Sequence, residues 1–473
     1  MTARRVAVIG GGIAGLAAAH RLLELSRGGP PLEVTLFEAG DHVGGNVGSE
    51  HAGGFTIERG ADCFITEKPW AMALCERVGI RDQMIGTSEG DRRTLVLHAG
   101  KLHPLPEGFL MLAPTDMRAL ARSPLFSPLG KLRMALDLVL PRGPGGDETL
   151  GAFVRRRLGR EALERAADPL VGGIYTADPD RLSLAATMPR FLELERQHRS
   201  LILGLRARST APVERSAAGA RYGLFASHAR GMGAIIDAVA ARVGSAVRLR
   251  APVEGLARDG GAWRFRAGGQ AVTADAVIVA APATPAAALL GDVDPALARA
   301  LAAIDYASSA TVTLGFDAPE VAAALHGFGF VVPAVERSPL VACTFASRKF
   351  AGRAPAGHSL MRAFVGGARH PEMAELDDDT LAATVRTALG KVLGITATPI
   401  LVRVRRYRRA MPQYGVGHLD RVATIEARAA ALPGLALAGA AYRGVGLPDC
   451  VRSGETAAEL VLAMPAGRLS AAG

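Results

Sequence analysis

Gly10, Gly12 and Gly15, in "VIGGGIAGLAAAH", stand between a β-branched run and an apolar helical pattern, and this spacing restricts the fold more than any other feature of the chain. Before the glycines, "RRVAVIG" has the continuous apolar character of a strand buried on both faces. After them Leu16, Ala19, Leu22 and Leu23 recur at helical spacing until "RGGPP" breaks the pattern. A second strand, "LEVTLFE", ends in Glu38, 23 residues beyond Gly15. These are the parts of a dinucleotide-binding unit. The first glycine makes a tight turn, the second lets backbone N–H groups approach a pyrophosphate, and the third lets helix and strand pack closely. Ile13 and Ala14 open the helix, whose N-terminus supplies donors and positive potential, while Glu38, followed by Ala39, accepts from ribose hydroxyls. Arg4 and Arg5 ahead of a small-residue run also suggest a secretory leader. That reading fails, because its apolar segment would be the glycine turn itself and no cleavage site interrupts the helix.

With 473 residues and 49% hydrophobic content the chain can build two or three domains with sizeable cores. Cys63, Cys75, Cys343 and Cys450 lie far apart without metal-ligand spacing, so reduced thiols are expected and no metal site. A formal net charge of +10 and a pI near 9.9 favour an anionic partner. The basic runs, "RRR" at Arg155 and "RVRRYRR" from Arg403, are short and sit in no nucleic-acid motif, so no nucleic acid is expected. No stretch of 18 uninterrupted apolar residues exists, which excludes a membrane-spanning helix and leaves open contact with a membrane surface.

Other segments extend the nucleotide site. Past Glu38, Gly44, Gly45 and Asn46 can form a second backbone cradle, and "GGFTIERG" reads as a hairpin strand leading into Gly60, Ala61, Asp62 and Cys63. Near the far end, "LPGLALAGAAYRGVGLPDC" reads as a strand from Leu435 to Gly439, a glycine-rich loop, and a helix with Pro448 in its first turn. Between them "GMGAIIDAVAARVGSAVRLRAPVEGLARDGGAWRFRAGGQAVTADAVIVAAP" reads as helix, strand, hairpin and buried strand. In this arrangement the chain resembles the flavin-dependent oxidoreductases of the amine oxidase and protoporphyrinogen oxidase superfamily. The resemblance implies that Gly44 and Gly45 contact the FAD diphosphate, that Gly60–Cys63 passes close to the flavin ring, and that the Val253 backbone meets the adenine. The loop through Gly439, Val445, Gly446 and Leu447 would aim a positive helix end at the flavin pyrimidine.

The segments between these pieces must define the substrate. After Leu110 the chain reads as helical. "SPLGKLRMALDLVL" starts with Ser127 as N-cap and Pro128 at the first helical position, and carries Leu129, Leu132, Leu136 and Val139 on one face. Arg118, Arg122, Lys131, Arg133 and Arg142 surround that stripe, which suits either a core-facing helix or one lying in a membrane interface.

Blocks spread along most of the chain narrow the resemblance. "DETLGAFVRRRLG", "DPLVGGIYTADPDRLSLAATMPRFLELERQHRSLILG", "HGFGFVVP", "FVGGAR", "MPQYGVGHLDRV" and "AYRGVGLPDC" are similar to those of the oxygen-dependent protoporphyrinogen oxidases. That family implies an α/β fold: an FAD-binding Rossmann-like domain of GR2 type (1–93, 221–295 and 425–465), an α+β substrate domain (94–108 and 296–424), and a helical, membrane-associating domain (109–220). It implies FAD-dependent oxidation of protoporphyrinogen IX to protoporphyrin IX in heme biosynthesis, with dioxygen as acceptor and hydrogen peroxide released. Coproporphyrinogen III is the alternative substrate, favoured by more cationic or polar groups for its four propionates. An amine oxidase and a non-enzymatic binder of the same fold are more distant alternatives. A cytoplasmic protein held peripherally on the inner face of the cell membrane is implied, and a homodimer is compatible with this.

By motif match the slot walls would be Phe328, Val331 and Phe364, the Gly173 carbonyl would accept from pyrrole N–H groups, and Tyr407 would stand beside the flavin with a hydroxyl needing a partner. Relatives carry an arginine near the start of "LVLHAGKLHPLP" to pair with a propionate. Here Thr94 or His98 falls at that place, unless the strand slips and brings in Arg93, so Arg92, Arg93 and His98 are the candidates. No catalytic general base is expected, since the flavin carries the chemistry.

Overall fold

The computed structural model describes residues 3–143, 145–208 and 225–464. The domain boundary expected at 220/221 and the expected end at 465 lie outside them. Two sheets organise the chain. The first is a five-stranded parallel sheet in the order Val247–Arg248, Leu32–Phe37, Arg4–Ile9, Ala276–Val279, Leu435–Leu437. Its central strand, Arg4–Ile9, is buried over Val6 to Ile9, as a strand covered on both faces must be. Helix Ile13–Ser26 follows directly, with Leu16, Ala19 and Leu22 wholly buried. The closing helix Leu447–Ala463 crosses it so tightly that a Cβ on Gly454 would lie 2.0 Å from the Ala14 carbonyl oxygen.

The second sheet has seven strands in the order Leu401–Pro412, Tyr306–Phe316, Ser359–Gly366, Leu340–Thr344, Gly329–Val331, Thr94–His98, Lys101–Pro104. Its pairings are antiparallel except for that between Gly329–Val331 and Thr94–His98. Register fixes which side chains share a face. Thr311 lies opposite both Phe364 and Arg405, Ser309 opposite Tyr407, and Ala342 opposite both Phe364 and Val331. Val331, Phe364 and Tyr407, far apart in sequence, therefore point from one face.

The helical part packs its own core around Phe109, Phe153, Leu158 and Phe191. Ser127 caps helix Pro128–Ala135 through its hydroxyl, which accepts from the Gly130 N–H at 3.0 Å. The apolar stripe turns outward: Leu129 is 79% exposed and Leu132 62% on this helix, and Val139, past the 3-10 turn Leu136–Leu138 that follows it, is 67% exposed. Met134, off the stripe, is the residue that reaches the core. The core-facing reading of the stripe is thus excluded. Among the described residues no helix is long and apolar enough to cross a membrane.

Candidate active site

The glycines of the opening turn are held by contacts that a side chain would destroy or by space that one would fill. Gly10 has φ +107°, and a Cβ on it would lie 2.7 Å from the Ala280 carbonyl oxygen. One on Gly15 would lie 1.9 Å from the Gly10 carbonyl oxygen. Gly12 is different: a Cβ there meets nothing within 4 Å. Gly12 is the N-cap of the first helix and no side chain caps it, so the space over its Cβ position is open. The second glycine pair closes on the first. Gly44 N–H donates to the Gly11 carbonyl at 2.8 Å, and Gly45, with φ +59°, places its Cβ position 3.5 Å from the Gly12 Cα. Two glycine loops thus meet around a gap lined by backbone, which fits a diphosphate.

Glu38 is fixed beside this gap by Gly11 N–H (2.6 Å) and Gly40 N–H (2.7 Å), and its carboxylate keeps lone pairs for further donors. Ala39 is exposed next to it. The backbone of Glu38 bonds to Arg248 and Ala251, which brings the chain leading into Val253 alongside. Asn46 reaches the next segment: a Cβ on Gly60 would lie 1.8 Å from the Asn46 carbonyl oxygen.

Segment Gly60–Cys63 runs below the seven-stranded sheet. Tyr407 Oη donates to the Arg59 carbonyl at 2.7 Å and accepts from Arg362 Nη2 at 2.8 Å, and Arg362 Nη1 also donates to the Gly60 carbonyl. The hydroxyl of Tyr407 has its partners. Arg362 also lies over the Phe364 ring, 5.0 Å from its centroid. Asp62 is paired with Lys349 at 2.8 Å, and the Cys63 thiol donates to Asp62 at 3.1 Å. Burial alone would raise the Asp62 carboxyl, but the Lys349 ammonium outweighs it and holds the carboxyl at about 2. Burial pushes the Cys63 thiol up, so it stays protonated. In the loop before the closing helix, Gly439 has φ +124° with nothing within 4 Å of its Cβ position, and Gly446 caps that helix without any side-chain bond. Leu447 is buried behind it, Val445 packs on the helical core, and Lys68 pairs with Asp449 of the first turn at 2.7 Å.

The slot side is built by helix Asp168–Tyr175, entered through a π turn at Leu163–Ala167. The Cβ position of Gly173 lies 3.9 Å from Val331 Cγ1, so these two candidates face each other. Gly173 belongs to the last turn, whose carbonyls lack helical donors; Thr176 N–H takes Gly172 and Gln413 Nε2 takes Tyr175. Ile174, 45% exposed beside it, adds an apolar surface. Phe328 is buried, with its backbone bonded to Arg93 and Phe345. The candidate cations are differently placed. Arg93 is held by Asp91 through two bonds of 2.6 Å, and His98 lies 3.3 Å from Glu336. Arg92 donates to the Ser88 and Thr87 carbonyls, and no carboxylate pairs with it among the described residues.

Arg362, Lys349 and Ile174 were not singled out from the sequence. A lone arginine in the apolar strand "SLMRAFVG" is a signal for the first; "SRKF" carries none for the second.

An open parallel sheet with two facing glycine loops, Glu38 fixed beside them and a closing helix without a side-chain cap bond has the form of a dinucleotide-binding fold. A sequence profile of the flavin containing amine oxidoreductases matches residues 13–462. A Bacillus subtilis (strain 168) protein named coproporphyrinogen III oxidase is 36% identical over 459 residues, 96% of this chain and 97% of its own. The chloroplastic protoporphyrinogen oxidase of Nicotiana tabacum is 30% identical, over 96% of this chain and 84% of its own. A crystal structure from Exiguobacterium sp. 255-15, provisionally assigned as a protoporphyrinogen oxidase, superposes with TM-score 0.86 at 33% identity, covering 98% of this chain and 99% of that one. The chain belongs to the flavin containing amine oxidoreductases, within them to the porphyrinogen oxidases, and its cofactor is FAD.

Proposed function

We propose that this protein oxidises coproporphyrinogen III to coproporphyrin III, in place of protoporphyrinogen IX as its main substrate. The observation that carries this reading is whole-length likeness: the bacterial relative named for coproporphyrinogen is nearer in sequence than the chloroplast relative named for protoporphyrinogen. The net charge of +10 suits a tetracarboxylate better than a dicarboxylate. Bound FAD supplies hydride acceptance from the tetrapyrrole, and dioxygen restores it with release of hydrogen peroxide. In this reading the two glycine cradles hold the diphosphate, Glu38 the ribose, and the uncapped amides at Gly446 the pyrimidine edge. The tetrapyrrole stands between Val331, Phe364 and the Gly173 helix, with the Gly173 carbonyl accepting from its N–H groups. The protein excludes water and sets geometry and needs no general base. Fluorescence assay of both porphyrinogens tests the choice: faster turnover of coproporphyrinogen is expected, and faster turnover of protoporphyrinogen overturns it.

The outward stripe carries a second proposal, peripheral contact with an anionic membrane. Leu129, Leu132, Leu136 and Val139 would enter the interface with Lys131 beside them. The protein is expected to pellet with anionic vesicles and to be released by salt, and full recovery in the supernatant sinks this idea.

A further inference from the structure

We propose that Tyr414, stacked on His418, is a positioning residue that sets the loop before the closing helix and so tunes FAD binding. This rests on the reading that the loop from Gly439 to Leu447 meets the flavin. Tyr414 is 1% exposed, and its ring lies 4.0 Å from that of His418 at an interplanar angle of 14°. Its hydroxyl donates to the Ala440 carbonyl at 2.6 Å and accepts from the Gly444 N–H at 2.9 Å. His418 Nε2–H donates to the Tyr442 carbonyl at 2.8 Å. One ring stack therefore satisfies backbone groups at three alternate positions of a loop that has no ladder of its own. The site is buried, so water cannot replace these bonds cheaply. Gly444 stands two residues before Gly446, the N-cap of the closing helix, which has no side-chain cap bond.

The same segment grips the substrate side. Gln413 Nε2 donates to the Tyr175 carbonyl at 3.1 Å, and Ser183 N–H donates to the Tyr414 carbonyl at 2.7 Å. Tyr175 ends the helix that carries Gly173. Residues 413–418 thus tie the end of the slot helix to the flavin loop, and the Tyr414 hydroxyl is the link that a single atom change removes.

Tyr414→Phe keeps the stack and deletes both hydroxyl bonds; His418→Phe keeps a ring and deletes the bond to Tyr442. FAD titration of the apoprotein, the midpoint potential and visible spectrum of the holoprotein, and thermal unfolding with and without FAD are measured for each. The FAD dissociation constant is expected to rise about tenfold, with a shifted potential and spectrum and a smaller FAD-induced rise in Tm. An equal loss of Tm in apo and holo forms with unchanged FAD affinity and potential would make the pair merely structural and overturn the proposal. Val445→Ala is the control on the underlying reading. If it moves the spectrum and Tyr414→Phe does not, the proposal alone fails; if neither does, the loop does not meet the flavin and both fail. Should Tyr414→Phe not fold, His418→Phe decides by the same readouts.

Discussion

A Cβ on Gly12 meets open space while one on Gly15 strikes the Gly10 carbonyl oxygen, although the two glycines belong to one turn. The difference separates binding from packing. Gly12→Val is expected to change apoprotein stability by no more than about 1 kcal/mol and to yield colourless protein, because the side chain would fill the gap proposed for the diphosphate. Gly15→Ala is expected to destabilise by about 1–3 kcal/mol in apo and holo forms alike, read by urea unfolding. Asp62 shows a charge effect at the same scale. Its carboxyl titrates at about 2 against an ordinary 3.8, chiefly because Lys349 outweighs its burial. A depressed acid lends stability that is whole above 3.8 and is lost as pH falls through the folded value. Asp62→Asn should therefore cost roughly 2 kcal/mol near neutrality, and its gap from the wild type should narrow below about pH 4. A gap constant with pH would show that the Asp62 carboxyl is not depressed in the folded protein.

The helix Pro128–Ala135 shows what an element reveals and what it conceals. Its apolar spacing is legible in the sequence, and so is its Ser127 cap, because both depend on near neighbours along the chain. The direction in which the stripe points is not legible, since core-facing and surface helices share one periodicity. Direction is set by what packs alongside, and the core of this region takes Met134 and leaves Leu129 and Leu132 out. Met134→Ala is accordingly expected to cost about 2–5 kcal/mol, whereas Leu129→Gln with Leu132→Gln should stay within about 0.5 kcal/mol for each site. Denaturant midpoints of the two variants check this. The opening strand, turn and helix were fully legible for the same local reason. The seven-stranded sheet was not: its register brings Val331, Phe364 and Tyr407 to one face through pairings that no short window of sequence contains.

Across the whole molecule the proposed cofactor half of the site lies between glycine loops that announce themselves, and the proposed substrate half depends on which charges find partners. Arg93 and His98 look alike as candidates in the sequence, yet Asp91 and Glu336 occupy them. Lys349 finds Asp62 across 287 positions of chain, in a stretch of unremarkable composition. With Arg93 and His98 compensated, the proposed substrate would be recognised more by the overall field of a chain with formal charge +10 than by one dedicated pair. Such a field acts at a distance and is screened by salt: the Debye length falls from about 30 Å at 0.01 M to about 8 Å at 0.15 M ionic strength. Over that range kcat/KM should fall several-fold for coproporphyrinogen, which carries four carboxylates, and less for protoporphyrinogen, which carries two. Steady-state fluorescence assays at matched pH measure both slopes. Equal slopes would move the burden back to a local cation, with Arg92 the first to replace; a steeper slope for the tetracarboxylate would tie substrate choice to the charge of the whole molecule.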